Sequence, residues 1–220
     1  MTINLRPGST VMFTGDSITD CGRPATEHGL GSGYPLRIAG EWGLRHPERA
    51  VTWLNSAVPG DKVRDLEARW QADVLDARPD VVSVLVGIND VGWHTIAPEG
   101  HVVPVEDFAA GYDRLLAPLA AAGTELILVE PFLLPIGATV EAGDALVDAG
   151  IRKQWRADLD PKIQVVRELA RTYGAHLLAA DGMFAELCAT AGPEHWSEDG
   201  VHPTPPAHAA LAAAWLRLVA

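Results

Sequence analysis

Three polar residues at the two ends of the 220-residue chain are of the types that together perform nucleophilic catalysis. Ser17 lies near the start, and Asp199 and His202 lie near the end in the segment Asp-Gly-Val-His. A serine hydroxyl is a weak nucleophile until a base takes its proton, and the base needs a partner that fixes its tautomer. The three-residue spacing lets one turn of loop bring the carboxylate to the imidazole. We therefore predict a catalytic triad of Ser17, His202 and Asp199.

Such a reaction also needs hydrogen-bond donors around the oxyanion that develops on the substrate. The candidates are the N–H of Ser17 at a helix start, the N–H of Gly60 and the side-chain amide of Asn89. Only glycine lets a backbone N–H approach a ligand without a Cβ in the way. An asparagine amide is a neutral donor that does not compete for the serine proton.

The elements that must position these residues alternate along the chain. Apolar, β-branched runs predict strands at 10–14, 51–54, 81–86, 125–130 and 175–180. Helical periodicity predicts helices at 34–45, 62–77, 108–122, 160–173 and 209–219, the last preceded by Thr204 as cap and Pro205 at its first position. The alternation predicts an α/β fold: one domain over residues 1–220 with a five-stranded parallel sheet covered by helices on both faces.

All the candidate residues follow the carboxyl ends of predicted strands. Ser17 follows the first strand, Gly60 the second and Asn89 the third, and the Asp-Gly-Val-His segment lies beyond the fifth. Parallel sheets bind ligands at this edge, so the sequence predicts that the candidates meet there.

Four blocks of sequence carry these residues: Gly15-Asp-Ser-Ile-Thr19, Asn55-Ser-Ala-Val-Pro-Gly60, Gly87-Ile-Asn-Asp90 and Asp199-Gly-Val-His-Pro203. In order and spacing they resemble the SGNH (GDSL-type) hydrolases, over residues 14–216. The resemblance implies a flavodoxin-like three-layer α/β/α sandwich and an acyl-serine mechanism with no metal or other cofactor. It also implies the triad and the oxyanion donors proposed above.

Longer phrases are similar to those of the intracellular acetylxylan (acetyl-xylooligosaccharide) esterases: GDSITDCGR at 15–23, GDKVRDLEARWQADV at 60–74 and SVLVGINDVGW at 83–93. This resemblance implies a cytoplasmic esterase that acts on a small acetylated sugar, such as an acetylated xylo-oligosaccharide. Two departures bear on the sugar specificity and not on the triad. Pro59 stands where many relatives have a small polar residue, and Trp196 is displaced from the place beside the catalytic Asp.

Three further residues are candidates for substrate contact by their position in the chain: Asp16, Trp93 and Trp196. The alternative for Asp16 is a carboxylate at a helix start, and each tryptophan either touches substrate or packs. His94 and His101 form no metal-binding motif, so no metal site is predicted.

Two predicted connections, 91–105 and 131–153, exceed the usual length and are expected to wall the substrate pocket. Contacts between subunits are the alternative, because relatives form homo-oligomers. A lipid or thioester acyl hydrolase is the rival enzyme, and it would need a long apolar groove. A carbohydrate- or protein-binding module with a vestigial site is the rival of another class, although binding alone requires no poised base.

The composition limits the classes of molecule that the protein is expected to bind. The formal net charge of −12 argues against nucleic acid and anionic membranes, which both require basic surfaces. The two cysteines, far apart, indicate no disulfide framework, and the chain has neither a signal-like N-terminus nor an apolar run long enough to span a membrane.

Overall fold

The computed structural model describes residues 2–92, 102–137, 140–142 and 145–220. These residues form seven β-strands and seven α-helices. The strands are β1 Thr10–Gly15, β2 Thr52–Asn55, β3 Val81–Leu85, β4 Glu125–Val129, β5 Val140–Ala142, β6 Ala145–Val147 and β7 His176–Leu178. The helices are α1 Ser17–Asp20, α2 Tyr34–Arg45, α3 Val63–Trp70, α4 Val105–Ala121, α5 Ala149–Tyr173, α6 Ala180–Ala191 and α7 Pro205–Leu216.

Five strands form one parallel sheet in the order β2-β1-β3-β4-β7. The chain leaves β1 toward β2 on one side and later returns to β3 on the other, so the strand order reverses beside β1. A reversal of this kind opens a crevice at the carboxyl ends of the strands, where doubly wound sheets bind ligands. The predicted five-stranded, flavodoxin-like α/β/α sandwich is confirmed.

The sheet separates two apolar cores because neighbouring side chains on a strand point to opposite faces. On β1, Phe13 packs into a core with α2, α6 and α7, and Met12 packs into a core with α3 and α4. Helix α5 contributes to both cores, its first half to the Phe13 side and its second half to the Met12 side.

The segment between β4 and β7 departs most from the prediction. Residues 131–153 are not one long loop, since they contain the antiparallel pair β5–β6 and the start of α5. Helix α5 has 25 residues and begins well before the predicted position 160. Pro161 lies inside the helix, whose N-terminus is capped by Asp148 Oδ1 accepting from the N–H groups of Gly150 and Ile151.

Three other helices also differ from expectation. The prediction left out α6, whose alanine-rich segment has weak helical periodicity. Thr204 precedes α7, as expected, but its side chain makes no capping bond and its Oγ1 donates to the His195 carbonyl instead. The helix predicted at 62–77 is α3 followed by one π-helical turn, Gln71–Leu75.

Among the described residues, no helix combines the length and the apolar character needed to cross a membrane.

Candidate active site

The side chains of Ser17, His202 and Asp199 form a continuous hydrogen-bonded chain. His202 Nδ1 lies 2.7 Å from Asp199 Oδ2, so Nδ1–H donates to the carboxylate. That tautomer leaves Nε2 as an acceptor, and it lies 2.9 Å from Ser17 Oγ. The serine and histidine are 185 residues apart in the chain, so the whole fold is needed to join them.

Electrostatics favour an ionised Asp199 and a basic His202. Partial burial raises the pKa of Asp199, but hydrogen bonds from the His202 ring and from the N–H groups of His202 and Val201 lower it to about 2. The hydrogen bond to Asp199 raises the pKa of His202, against the opposing effect of burial. The carboxylate thus stabilises the imidazolium that forms when the ring takes a proton.

The turn after β1 presents Ser17 at the first position of α1. Gly15 has φ +143°, and a Cβ at this position would lie 1.9 Å from the Leu85 carbonyl oxygen, so the turn requires glycine. Asp16 caps α1, its Oδ1 accepting from the Ile18 N–H at 3.0 Å. Asp16 is fully buried, and burial raises its pKa to about 7. This position favours the helix-start role of Asp16 over contact with substrate.

The second and third blocks meet beside this turn. The loop after β2 is bonded to β1 through the N–H of Ser56, which donates to Phe13, and that of Val58, which donates to Gly15. Asn89 is buried in the turn after β3, and its Nδ2 donates to the Asp61 carbonyl at 3.0 Å. Asn89 therefore lies against the residue that follows Gly60.

Gly60 itself has φ +85°, and a Cβ added there meets no described atom within 4 Å. The left-handed backbone, which residues with a Cβ rarely adopt, is one reason for glycine at this position. That glycine also leaves room for a ligand at its N–H stays a prediction. Of the residues that the structure describes, none accepts a hydrogen bond from the N–H of Ser17 or of Gly60.

A serine, a base and amide donors gathered at a sheet edge are suited to acyl transfer, and comparison with known proteins agrees. The sequence profile of the GDSL-like lipase/acylhydrolase family matches residues 13–210. The chain belongs to this family. It is an α/β enzyme of the SGNH hydrolase type and a carboxylic ester hydrolase.

The relatives of this acylhydrolase include an acetylxylan esterase of Geobacillus stearothermophilus, 31% identical over an alignment of 218 residues that covers 96% of this chain and 93% of that protein. A structure from Parabacteroides merdae described as GDSL-like has a TM-score of 0.87 at 30% identity, covering 99% of this chain and 98% of that one. A variant of a Geobacillus acetyl-xylooligosaccharide esterase has a TM-score of 0.85 at 31% identity, covering 99% and 96%. Structures of that esterase include catalytic mutants in which a serine, an aspartate or a histidine is replaced by alanine.

The structure describes only one of the two tryptophans that were predicted to touch substrate. Trp196 of the acylhydrolase donates from its Nε1 to the Leu187 carbonyl of α6 at 3.1 Å and packs against the core on that side of the sheet. These contacts favour packing as its role. Trp93 lies outside the described residues, as do His94 and His101.

Sequence reasoning missed the residues that support the Asp199–His202 loop. Ser197 Oγ donates to Asp199 Oδ1 at 3.1 Å and accepts from the Gly200 N–H at 2.9 Å. The Leu134 N–H, in the segment after β4, donates to the Gly200 carbonyl at 2.8 Å. The Ser-x-Asp spacing was a local signal for the first contact, but nothing in the sequence indicates the second.

The same segment after β4 also borders a cavity of about 310 Å³. Its lining is mostly apolar, with cationic side chains contributed by α5: Leu133, Leu134, Pro135, Ile136, Gly137, Ala149, Arg152, Lys153 and Arg156. The described part of the predicted 131–153 connection thus walls a cavity next to the loop that carries His202.

Proposed function

We propose that this acylhydrolase is a serine esterase that removes short acyl groups, above all acetyl, from small carbohydrates such as acetylated xylo-oligosaccharides. The hydrogen-bonded chain from Ser17 Oγ through His202 to Asp199 carries the proposal, with contacts of 2.9 and 2.7 Å. We also propose that residues 1–220 act as a single catalytic domain, because the three hydrogen-bonded residues come from opposite ends of this sequence.

In this mechanism Ser17 Oγ attacks the ester carbonyl carbon while His202 Nε2 takes the hydroxyl proton. The C=O electron pair moves onto oxygen, and the N–H groups of Ser17 and Gly60 and the Asn89 amide stabilise the resulting oxyanion. When the tetrahedral intermediate collapses, the bond to the sugar oxygen breaks and His202 protonates that oxygen. The acyl group remains on Ser17.

Water then repeats the sequence. His202 takes a proton from water as the water oxygen attacks the acyl-enzyme carbonyl, and collapse of the second intermediate returns the proton to Ser17 and releases acetate. Asp199 stays ionised throughout, because its low pKa keeps it charged at neutral pH.

The choice of acetylated sugars is supported by the esterase relatives, whose names give acetylxylan and acetyl-xylooligosaccharides as substrates. The catalytic mutants of the Geobacillus enzyme replace the same three residue types that form the chain here, which supports the triad.

The test is acetate release from peracetylated xylose and xylobiose by the wild type and by Ser17→Ala. We expect release by the wild type and a loss of about 10⁴-fold or more in Ser17→Ala, since triad members act as a unit. Ser9→Ala is the control, because Ser9 lies outside the site, before β1. Wild-type turnover by folded Ser17→Ala would refute the mechanism. Absence of acetate release by a wild type that cleaves other esters would refute the substrate class.

A further inference from the structure

One arginine binds both ends of the loop that contains Gly60. Arg69 lies on α3, and its Nε donates to Asp61 Oδ2 at 2.8 Å while Nη2 lies 2.7 Å from the same oxygen. Its Nη1 donates to the Ser56 carbonyl at 2.6 Å and to Asp73 Oδ2 at 2.7 Å. The planar guanidinium thus links the beginning and the end of the segment 56–61.

The end of this loop is also the point where two of the proposed oxyanion donors meet. Asp61 directly follows Gly60, and its carbonyl accepts from Asn89 Nδ2 at 3.0 Å. Asp61 therefore contacts Arg69 through its side chain and Asn89 through its backbone. A shift of Asp61 would change the position of the Gly60 N–H and remove the support of the Asn89 amide together.

Charge strengthens this link. The Asp61 side chain is 12% exposed and that of Arg69 19%, so solvent screens their attraction only in part. Burial raises the pKa of Asp61, and the hydrogen bond and charge of Arg69 act in the opposite direction. Without Arg69 the carboxylate would be drawn toward water, because a buried charge without its partner is strongly unfavourable.

We infer that Arg69 is a positioning residue of the oxyanion hole: through Asp61 and the Ser56 carbonyl it holds the Gly60 N–H and the Asn89 amide at the spacing that the oxyanion needs. The inference rests on the proposed function, because it takes the donors from the mechanism above. Misplacement of about 1 Å by a change outside the reacting centre can cost on the order of 10² in rate, so a positioning residue has a measurable effect.

The first test is the steady-state kinetics of full-length Arg69→Met and Arg69→Lys with p-nitrophenyl acetate, per active site titrated with a fluorophosphonate. We expect kcat of Arg69→Met to fall about 10- to 10²-fold, with KM within about threefold, since the lost contacts act on transition-state donors. The kcat of Arg69→Lys should lie between those of Arg69→Met and the wild type, because lysine keeps the positive charge but lacks the planar guanidinium that donates several hydrogen bonds at once.

The matched control is Arg114→Met. Arg114 of α4 pairs at 2.6 Å with Glu67 of α3, the helix that also carries Arg69, but the Arg114 side chain is 61% exposed and its hydrogen bonds within the described residues go to Glu67. We expect kcat and KM of this variant to equal those of the wild type. An equal loss in both arginine variants would overturn the inference.

The second test separates positioning from a merely structural role. Methylboronic acid forms a tetrahedral, anionic adduct with a reactive serine, so its affinity reports on the oxyanion hole. We expect its inhibition constant to rise in parallel with the fall in kcat. A loss of melting temperature alone, with kcat per titrated site and boronate affinity unchanged, would overturn the inference.

If Arg69→Met fails to fold, the inference is tested with Arg69→Lys and Asp61→Asn instead. Both variants are measured for kcat and KM and for the inhibition constant of methylboronic acid. Asp61→Asn keeps the carbonyl that Asn89 binds and removes the charge that Arg69 holds, so kcat should fall with KM nearly constant. The two proposals fail separately. Activity in Ser17→Ala would refute the proposed function itself, whereas an inactive Ser17→Ala beside a fully active Arg69→Met would refute only the role of Arg69.

Discussion

The hydrogen bond between Asp199 and His202 sets the pH range in which the imidazole can act as a base. In the proposed mechanism His202 takes the serine proton, and it can do so only while its ring is neutral. The carboxylate raises the pKa of the ring above its ordinary 6.5. Activity should therefore decline as the pH falls through this raised pKa, that is, at a higher pH than for an isolated imidazole.

Asp199→Asn should both slow the enzyme and move this decline. The amide cannot stabilise the imidazolium, so the pKa of His202 should fall and the acidic limb of the pH profile should shift to lower pH. At neutral pH kcat should drop on the order of 10⁴-fold, the loss seen when the corresponding residue of another triad is changed. The measurement is kcat/KM for p-nitrophenyl acetate as a function of pH. Glu198→Gln, an exposed neighbour, is the control, and an unshifted limb in Asp199→Asn would contradict the assignment.

Asn89→Ala should lower kcat by about 10²–10³-fold with less change in KM, the usual effect of removing one oxyanion donor. The Asn89 side chain is buried and its amide donates to the Asp61 carbonyl, so the alanine variant loses this hydrogen bond as well. Asn4→Ala, at an exposed position, serves as the control. A rise in KM with unchanged kcat would instead make Asn89 a residue that binds the substrate's ground state.

The residues that meet at the site were predictable because their types are chemically distinctive and each follows a strand. Arg69 was not, although it stands inside one of the phrases quoted for the resemblance. An arginine on an amphipathic helix has the same sequence signature whether it is solvated or folded back onto a loop. Only the placement of Asp61 and Ser56 beside it distinguishes the two cases.

The turn between β1 and α1 tolerates no side chain at Gly15. Gly15→Ala should destabilise the fold by more than about 3 kcal/mol, because a Cβ at this position overlaps the Leu85 carbonyl. Gly8→Ala is the matched control: Gly8 has φ +85°, and a Cβ there meets no described atom within 4 Å. It should cost only about 1–2 kcal/mol for the left-handed backbone.

Urea unfolding of both glycine variants measures this difference. If Gly15→Ala proves as stable as Gly8→Ala, the result would contradict the close approach of the Leu85 carbonyl of β3 to Gly15.

The strands of the sheet and the helices between them were predictable because their hydrophobic periods are clear. The secondary structure of residues 131–160 was not predictable in this way. A proline usually marks a helix start, but Pro161 lies within α5, whose apolar residues, Trp155 and Leu159 among them, pack into the core before the proline is reached. Tertiary packing outweighs the local signal here.

The proposed preference for acetyl groups sets a limit on the length of the acyl chain. The segment after β4 is bonded to the His202 loop, but the cavity of about 310 Å³ that it borders is lined by that segment and α5 rather than by Ser17 or His202, so the expectation rests on the proposed substrate class. We expect kcat/KM for p-nitrophenyl acetate to exceed that for the octanoate by at least roughly 10²-fold, because added methylenes in a small acyl pocket clash.

The p-nitrophenyl acetate, butyrate and octanoate series measures this preference. Rates that hold or climb with acyl length would move the protein to the lipid or thioester acyl hydrolases.

The contact of Ser17 with His202 joins residues from the two ends of the chain. The serine lies on the turn after β1, and the imidazole lies on the loop before α7, 185 residues further along the chain. Undocking of α7 and of that loop would therefore separate the imidazole from the serine even with the turn after β1 intact. In the proposed mechanism, local unfolding of this one region is enough to switch the enzyme off.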